Sequence, residues 1–212
     1  MNAIPRAFLL AATLATSAGQ ASASSIQFDI AGLDALSSSV LGFDFIDGDG
    51  PSNSVYISHI NTDGIAGSVT LIGGASASTS GGYLLEDSAF YSSLQLEYSG
   101  ASQISLHLAT TDNAPAPGMF EDTLAIYLLD ISSGLPSIFT DEPLGTNALI
   151  SWTASGLGQG NLLVYGPLTP VPATWTATFL NDPNPVPEPG IPLLLATGIA
   201  GLLLTKTLRR GS

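Results

Sequence analysis

Between Ser24 and Phe179 the chain is cut into short apolar runs by turn residues, and this limits its possible folds more than any other feature. The runs are Ile26–Ile30, Val40–Ile46, Val55–Ile60, Ser68–Ile72, Phe90–Tyr98, Ile104–Thr110, Thr123–Asp130, Ala148–Thr153, Leu162–Val164 and Trp175–Phe179. Asp-Gly, Gly-Gly, Ser-Gly and Gly-Pro pairs lie between them, supplying positive φ or blocking strand extension. In Gln103-Ile104-Ser105-Leu106-His107-Leu108 the apolar side chains alternate with period two and share one face. Short strands of this kind, with no long amphipathic helix, predict an all-β antiparallel β-sandwich or jelly roll over residues 24–180. No fixed-period repeat argues for a solenoid. Gly73–Gly82 reads as a flexible surface loop of small residues, and Asn113–Gly118 as a second loop.

Such a domain needs a packed core, because the chain has no cysteine and therefore no disulfide, thiolate zinc site or cysteine nucleophile. With 45% hydrophobic residues, that core is attainable.

Charge then removes whole classes of ligand. The net charge is −13, and all four basic residues, Arg6, Lys206, Arg209 and Arg210, lie near the ends. From Ala7 to Thr205 there is no Lys or Arg, while all 17 acidic residues fall there. A surface without cations cannot neutralise phosphates, so no nucleic acid, nucleotide or anionic headgroup is expected to bind it directly. Self-repulsion that keeps the chain soluble is the simplest reading of the acidity.

The densest cluster of potential ligands is Asp44, Asp47, Asp49 and Asn53 in a Gly-rich turn. Calcium takes six to eight oxygen ligands from a compact loop, so these residues form a candidate calcium site, with Asp63, Glu121 and Asp122 able to complete it. The stretch is not an EF-hand loop, since Pro51 stands in a ligand position and no glutamate closes the loop. The plainer alternative is a hairpin in which Asp and Asn cap their own backbone. An enzyme is not expected. His59 and His107 are scattered among many serines, no G-x-S-x-G or H-E-x-x-H occurs, and Glu86, Glu97 and Glu121 are dispersed. A hydrolase built on geometry alone is the third alternative. Tyr56, Tyr83, Tyr91, Tyr98, Trp152 and Trp175 could supply an aromatic platform for neutral sugar rings, or could simply be core.

Both ends read as addresses. Arg6, the apolar run Ala7–Ala15 and Gln20-Ala21-Ser22-Ala23 have the three-part form of a secretory signal peptide over residues 1–23, cut after Ala23 or alternatively after Ala18. At the other end, residues 181–212, a proline-rich hinge precedes the apolar stretch Ile191–Thr205, extendable to Leu208. Fifteen residues at about 1.5 Å each make a marginal transmembrane helix for a hydrocarbon core of about 30 Å. Lys206 can snorkel, and Arg209 and Arg210 place the far end in the cytoplasm.

Val186-Pro187-Glu188-Pro189, the apolar segment and Arg209-Arg210 together resemble the PEP-CTERM sorting signal of Gram-negative bacteria. That resemblance implies recognition of Val186, Pro187, Glu188 and Pro189 by exosortase, a membrane-embedded cysteine transpeptidase-like enzyme, and cleavage near the motif. It also implies export past signal peptidase, a transient hold in the inner membrane, and delivery to the cell surface or to an exopolysaccharide and biofilm matrix. Segments Phe43–Gly50, Ile57–Gly64 and Thr123–Asp130 resemble recurrent elements of the β-rich ectodomains that carry this signal, a similarity that implies no activity. The sequence thus predicts an exported structural or adhesive protein, with a calcium- or glycan-binding module as the alternative.

Overall fold

The computed structural model describes residues 23–180 apart from 34–37, 49, 51, 114, 116, 157 and 158. Residues 1–22 of the expected signal peptide, the whole segment 181–212 with its sorting motif and helix, and Asp49 lie outside the described residues. The strands belong to one compact unit, Ser22–Pro185.

Twelve strands make up the described part: β1 (Ala23–Ala31), β2 (Ser38–Ile46), β3 (Ser54–Thr62), β4 (Ile65–Gly73), β5 (Ala75–Ala77), β6 (Tyr83–Glu86), β7 (Tyr91–Ser99), β8 (Gln103–Thr111), β9 (Thr123–Asp130), β10 (Ile150–Thr153), β11 (Asn161–Val164) and β12 (Thr174–Phe179). They form two antiparallel six-stranded sheets, β12-β1-β8-β3-β6-β5 and β11-β10-β9-β2-β7-β4. The expected all-β antiparallel fold is therefore observed. The pairing is nested: β1 lies beside β8, β2 beside β7 and β3 beside β6. Among the described residues no helix is long and apolar enough to cross a membrane.

Period-two alternation explains how the sheets close on each other. In β8, Ile104, Leu106 and Leu108 are buried while Ser105 and His107 face outward, as the sequence pattern requires. Phe28 of β1, Phe43 and Phe45 of β2, Ile57 of β3, Leu94 of β7 and Trp152 of β10 are fully enclosed in one continuous apolar cluster fed by both sheets. Burying a side chain of this size contributes about 1.5–3 kcal/mol, which is how a chain without disulfides holds together.

The stretch Gly73–Gly82 is not simply a loop, which corrects the expectation: Ala75–Ala77 form β5, paired with β6 at Ala75↔Leu85, Ser76↔Leu84 and Ala77↔Tyr83. Gly74 alone joins β4 in one sheet to β5 in the other. Gly73 adopts φ +65°, and a side chain there would run into the carbonyl of Tyr91, so the crossing depends on glycine. β4 is the edge strand of its own sheet, with every residue exposed.

Candidate functional site

The acidic segment after β2 folds at one end of the sheets, where three loops meet. Asp47 follows β2, Asp87 follows β6, and Asp122 precedes β9. One carboxylate oxygen from each lies within 4.8 Å of the others. Asp122 is the fixed member. It is 1% exposed, its Oδ1 accepts a hydrogen bond from the Gly48 N–H at 2.7 Å, and its Oδ2 accepts one from Asn53 Nδ2 at 2.7 Å. The backbone N–H of Asn53 donates to Asp87 Oδ2 at 2.8 Å. Asp47 is tied in through its own N–H, which donates to the Phe90 carbonyl at 3.0 Å. These donors offset part of the repulsion among three carboxylates in a body that offers no Lys or Arg.

Asn53 organises the site without being free to ligate. Its side-chain oxygen accepts from the Asn113 N–H at 2.8 Å and from the Thr111 hydroxyl at 3.2 Å, and its Nδ2 also donates to the Asn113 carbonyl at 2.9 Å. Asn53 is 3% exposed, so one buried amide joins the loop after β2 to the ends of β8 and β9.

Of the expected calcium ligands, Asp47 enters the cluster, together with Asp122, which sequence reasoning named only as a completing residue. Asp44 does not. It faces outward from β2, where its Oδ1 accepts from Tyr91 at 2.8 Å and from Tyr127 at 2.9 Å. The Asn53 side chain holds a carboxylate with its NH2 group, which is a donor and cannot coordinate a cation. Asp63 sits apart, accepting from the Ser102 hydroxyl and from the N–H groups of Ser102 (2.9 Å) and Gln103 (3.1 Å). Those bonds, the Ser102 hydroxyl foremost, hold its carboxyl below the usual range. Asp87 was missed. It lies in a polar turn far along the chain, and no local signal ties it to residues 44–53.

Four of the six aromatic residues considered for a sugar platform are otherwise engaged, while Tyr56 of β3 and Tyr83 of β6 are half-buried. Trp152 and Tyr98 are buried in the core, Trp175 packs against it, and Tyr91 is held by Asp44. Burial, with Tyr83 alongside, pushes the Tyr98 hydroxyl up to about 12. The exposed aromatic rings near the acidic cluster belong instead to Phe90 and Phe120, at 75% and 78% exposure. A side chain at Gly48 would run into the Phe120 carbonyl, so the loop carrying Phe120 abuts the site directly.

Chemically, three carboxylates at 4.8 Å or less can share a hard cation through oxygen, as calcium sites do. No family model matches the chain, and no curated protein or solved structure matches it either.

Proposed function

We propose that this is an exported surface or extracellular-matrix protein, sorted and processed by exosortase, with a structural or adhesive role linked to exopolysaccharide or biofilm. The observation that carries this reading is the tail: Val186-Pro187-Glu188-Pro189, then an apolar stretch, then Arg209-Arg210, attached to a body free of Lys and Arg. In this reading signal peptidase removes the front end, the inner membrane holds the precursor briefly, and exosortase frees the body. The nested pairing β1–β8, β2–β7, β3–β6 is how a jelly roll winds two sheets from one chain, and we read the body as a jelly-roll ectodomain with β9–β12 added at its borders. The test is fractionation of a host with active exosortase. The parent should leave the inner membrane with its tail removed, and Glu188→Ala should accumulate there uncut; a parent that stays in the inner membrane with an intact tail refutes the proposal.

A second reading, a cation-binding module, is favoured by the meeting of Asp47, Asp87 and Asp122 beside exposed Phe90 and Phe120. Calcium at millimolar concentration should then raise the melting temperature of the parent and not of Asp87→Asn. Equal melting temperatures with and without calcium would remove it.

A further inference from the structure

The two histidines of the chain, remote in sequence, are brought together on the outer face of the first sheet. The rings of His59 and His107 have centroids 4.9 Å apart and planes inclined by 43°. A β-bulge makes this contact. Ser58 pairs with His107 and Asn61 with Ser105, so two residues of β3, His59 and Ile60, oppose the single residue Leu106 of β8. His59 absorbs the extra position with φ +50°, a left-handed conformation that histidine, like asparagine and aspartate, adopts more readily than most side chains. Ile57 and Ile60 both reach the core, three residues apart, while Ser58 and His59 stand on the polar side. Strict alternation would have turned His59 inward. The left-handed turn at His59 thus places its ring beside His107.

We propose that His59 and His107 form a binding site for a divalent transition-metal ion, zinc or copper(II). Four observations support this. First, two imidazoles on one tetrahedral zinc, with Zn–N near 2.0–2.1 Å, have ring centroids about 5 Å apart, close to the separation seen. Second, Ser58 Oγ lies 3.0 Å from His59 Nδ1; accepting the Nδ1–H proton would fix the tautomer that leaves the Nε2 lone pair for a metal. Third, the surroundings favour cations. Gln27 is the β1 neighbour of His107, and its amide holds the exposed carboxylate of Asp29 at 2.9 Å on the same face. Asp29 and Asp63 line an adjoining groove of about 350 Å³ with Asn61, Gln103 and Ser105, and no Lys or Arg of the body opposes them. Fourth, imidazole nitrogen selects zinc and copper over calcium, so this site is chemically distinct from the carboxylate cluster.

The test is zinc titration of the tag-free full-length chain in nonionic detergent by calorimetry, with copper(II) broadening of the imidazole C–H proton signals as a second readout. His59→Asn tolerates the left-handed backbone and His107→Gln sits on an exposed sheet face, so both variants should keep the melting temperature of the parent. The expected result is one zinc per chain, a loss of more than about tenfold in affinity in either variant, a loss on the order of tenfold in Ser58→Ala, and copper broadening of both histidine signals together. Asp87→Asn should bind zinc like the parent. Zinc affinity within twofold of the parent in His59→Asn or His107→Gln, absence of zinc binding by the parent, or copper broadening of one ring alone would overturn the proposal. Should either variant lose its fold, the broadening pattern of the parent decides.

Discussion

The Tyr127 ring of β9 packs directly on Gly42 of β2, its registered neighbour across the two strands. A Cβ at Gly42 would occupy the space of the Tyr127 ring carbons. The same tyrosine donates its hydroxyl to Asp44 at 2.9 Å, and Tyr91 of β7 donates to the same carboxylate oxygen at 2.8 Å. One carboxylate on the central strand thereby ties its two neighbours together across the outer face of the second sheet. Burial, and after it the Asp44 charge, pushes the Tyr127 hydroxyl far above its ordinary range.

Gly42→Ala should therefore displace the Tyr127 ring and cost about 1–3 kcal/mol, the usual price of overpacking. Tyr127→Phe should keep the ring over Gly42 and lose only the bond to Asp44, about 1–2 kcal/mol. Urea unfolding measures both. A Gly42→Ala protein as stable as the parent would mean that the ring moves aside freely.

The ten strands legible in the sequence are short β-type runs bounded by turn residues, and several of them, β8 among them, carry apolar side chains at every second residue. β5 was hidden because Ala75-Ser76-Ala77 carries no large apolar side chain amid small Gly and Ser residues, and β6 because its four residues lie between that small-residue stretch and the next turn. Composition places acidic residues in the turn after β2, but ligand geometry depends on which loops meet there. Asp47 was legible as a member, whereas Asp87 joins through the return of the chain from β6 to β7. Asp44 misled because a carboxylate on a strand looks the same in sequence whether it faces a cation or two tyrosine hydroxyls. The bulge at His59 left a trace: Ile57 and Ile60 break the period of two.

Asp112 offers a second test of buried carboxylates as loop fasteners. It is 2% exposed, its Oδ1 accepts from the N–H groups of Ser155 at 2.6 Å and Gly156 at 2.9 Å, and its Oδ2 accepts from Gly160 at 3.0 Å. The loop it gathers also supplies the Gln159 carbonyl that accepts from Trp152 Nε1 at 3.0 Å. Asp112→Ala should cost about 3 kcal/mol or more, because three donors lose a charged acceptor. Hydrogen exchange at Ser155, Gly156 and Gly160 should accelerate together, and the Trp152 fluorescence should shift to the red. Unchanged exchange at all three amides would contradict this role.

The acidic cluster makes a graded prediction. Asp122→Ala removes the acceptor of the Gly48 N–H and one of the two acceptors of the buried Asn53 amide, and should cost about 2–4 kcal/mol. Asp87→Ala removes the acceptor of one half-buried N–H and should cost about 1 kcal/mol. Thermal and urea denaturation without added metal give the order directly. A reversed order would mean that Asp87, not Asp122, anchors the three loops.

Acid should weaken the fold through its capped carboxylates, and Glu142 allows the sign to be followed. Burial pushes its carboxyl up, but the combined donors outweigh that and hold it below its ordinary 4.5: the N–H groups of Leu144, Thr146 and Asn147, and the Thr146 hydroxyl. Leu144 N–H donates to Oε1 at 2.7 Å, while the Thr146 N–H and hydroxyl donate to Oε2 at 2.7 and 2.9 Å. The unfolded chain therefore takes up its proton first as pH falls, so the stabilisation is complete above 4.5 and disappears as pH drops through the lower folded value. Asp63 and Asp130 are shifted in the same direction by serine hydroxyls and backbone N–H groups, but they are present in both parent and Glu142→Gln and cancel from the comparison. The urea midpoints of parent and Glu142→Gln should thus differ by a constant amount from about pH 7 to about pH 5.5 and draw together as pH falls below 4.5. A gap that stays constant down to about pH 3 would show that the charge on Glu142 contributes nothing to holding its loop.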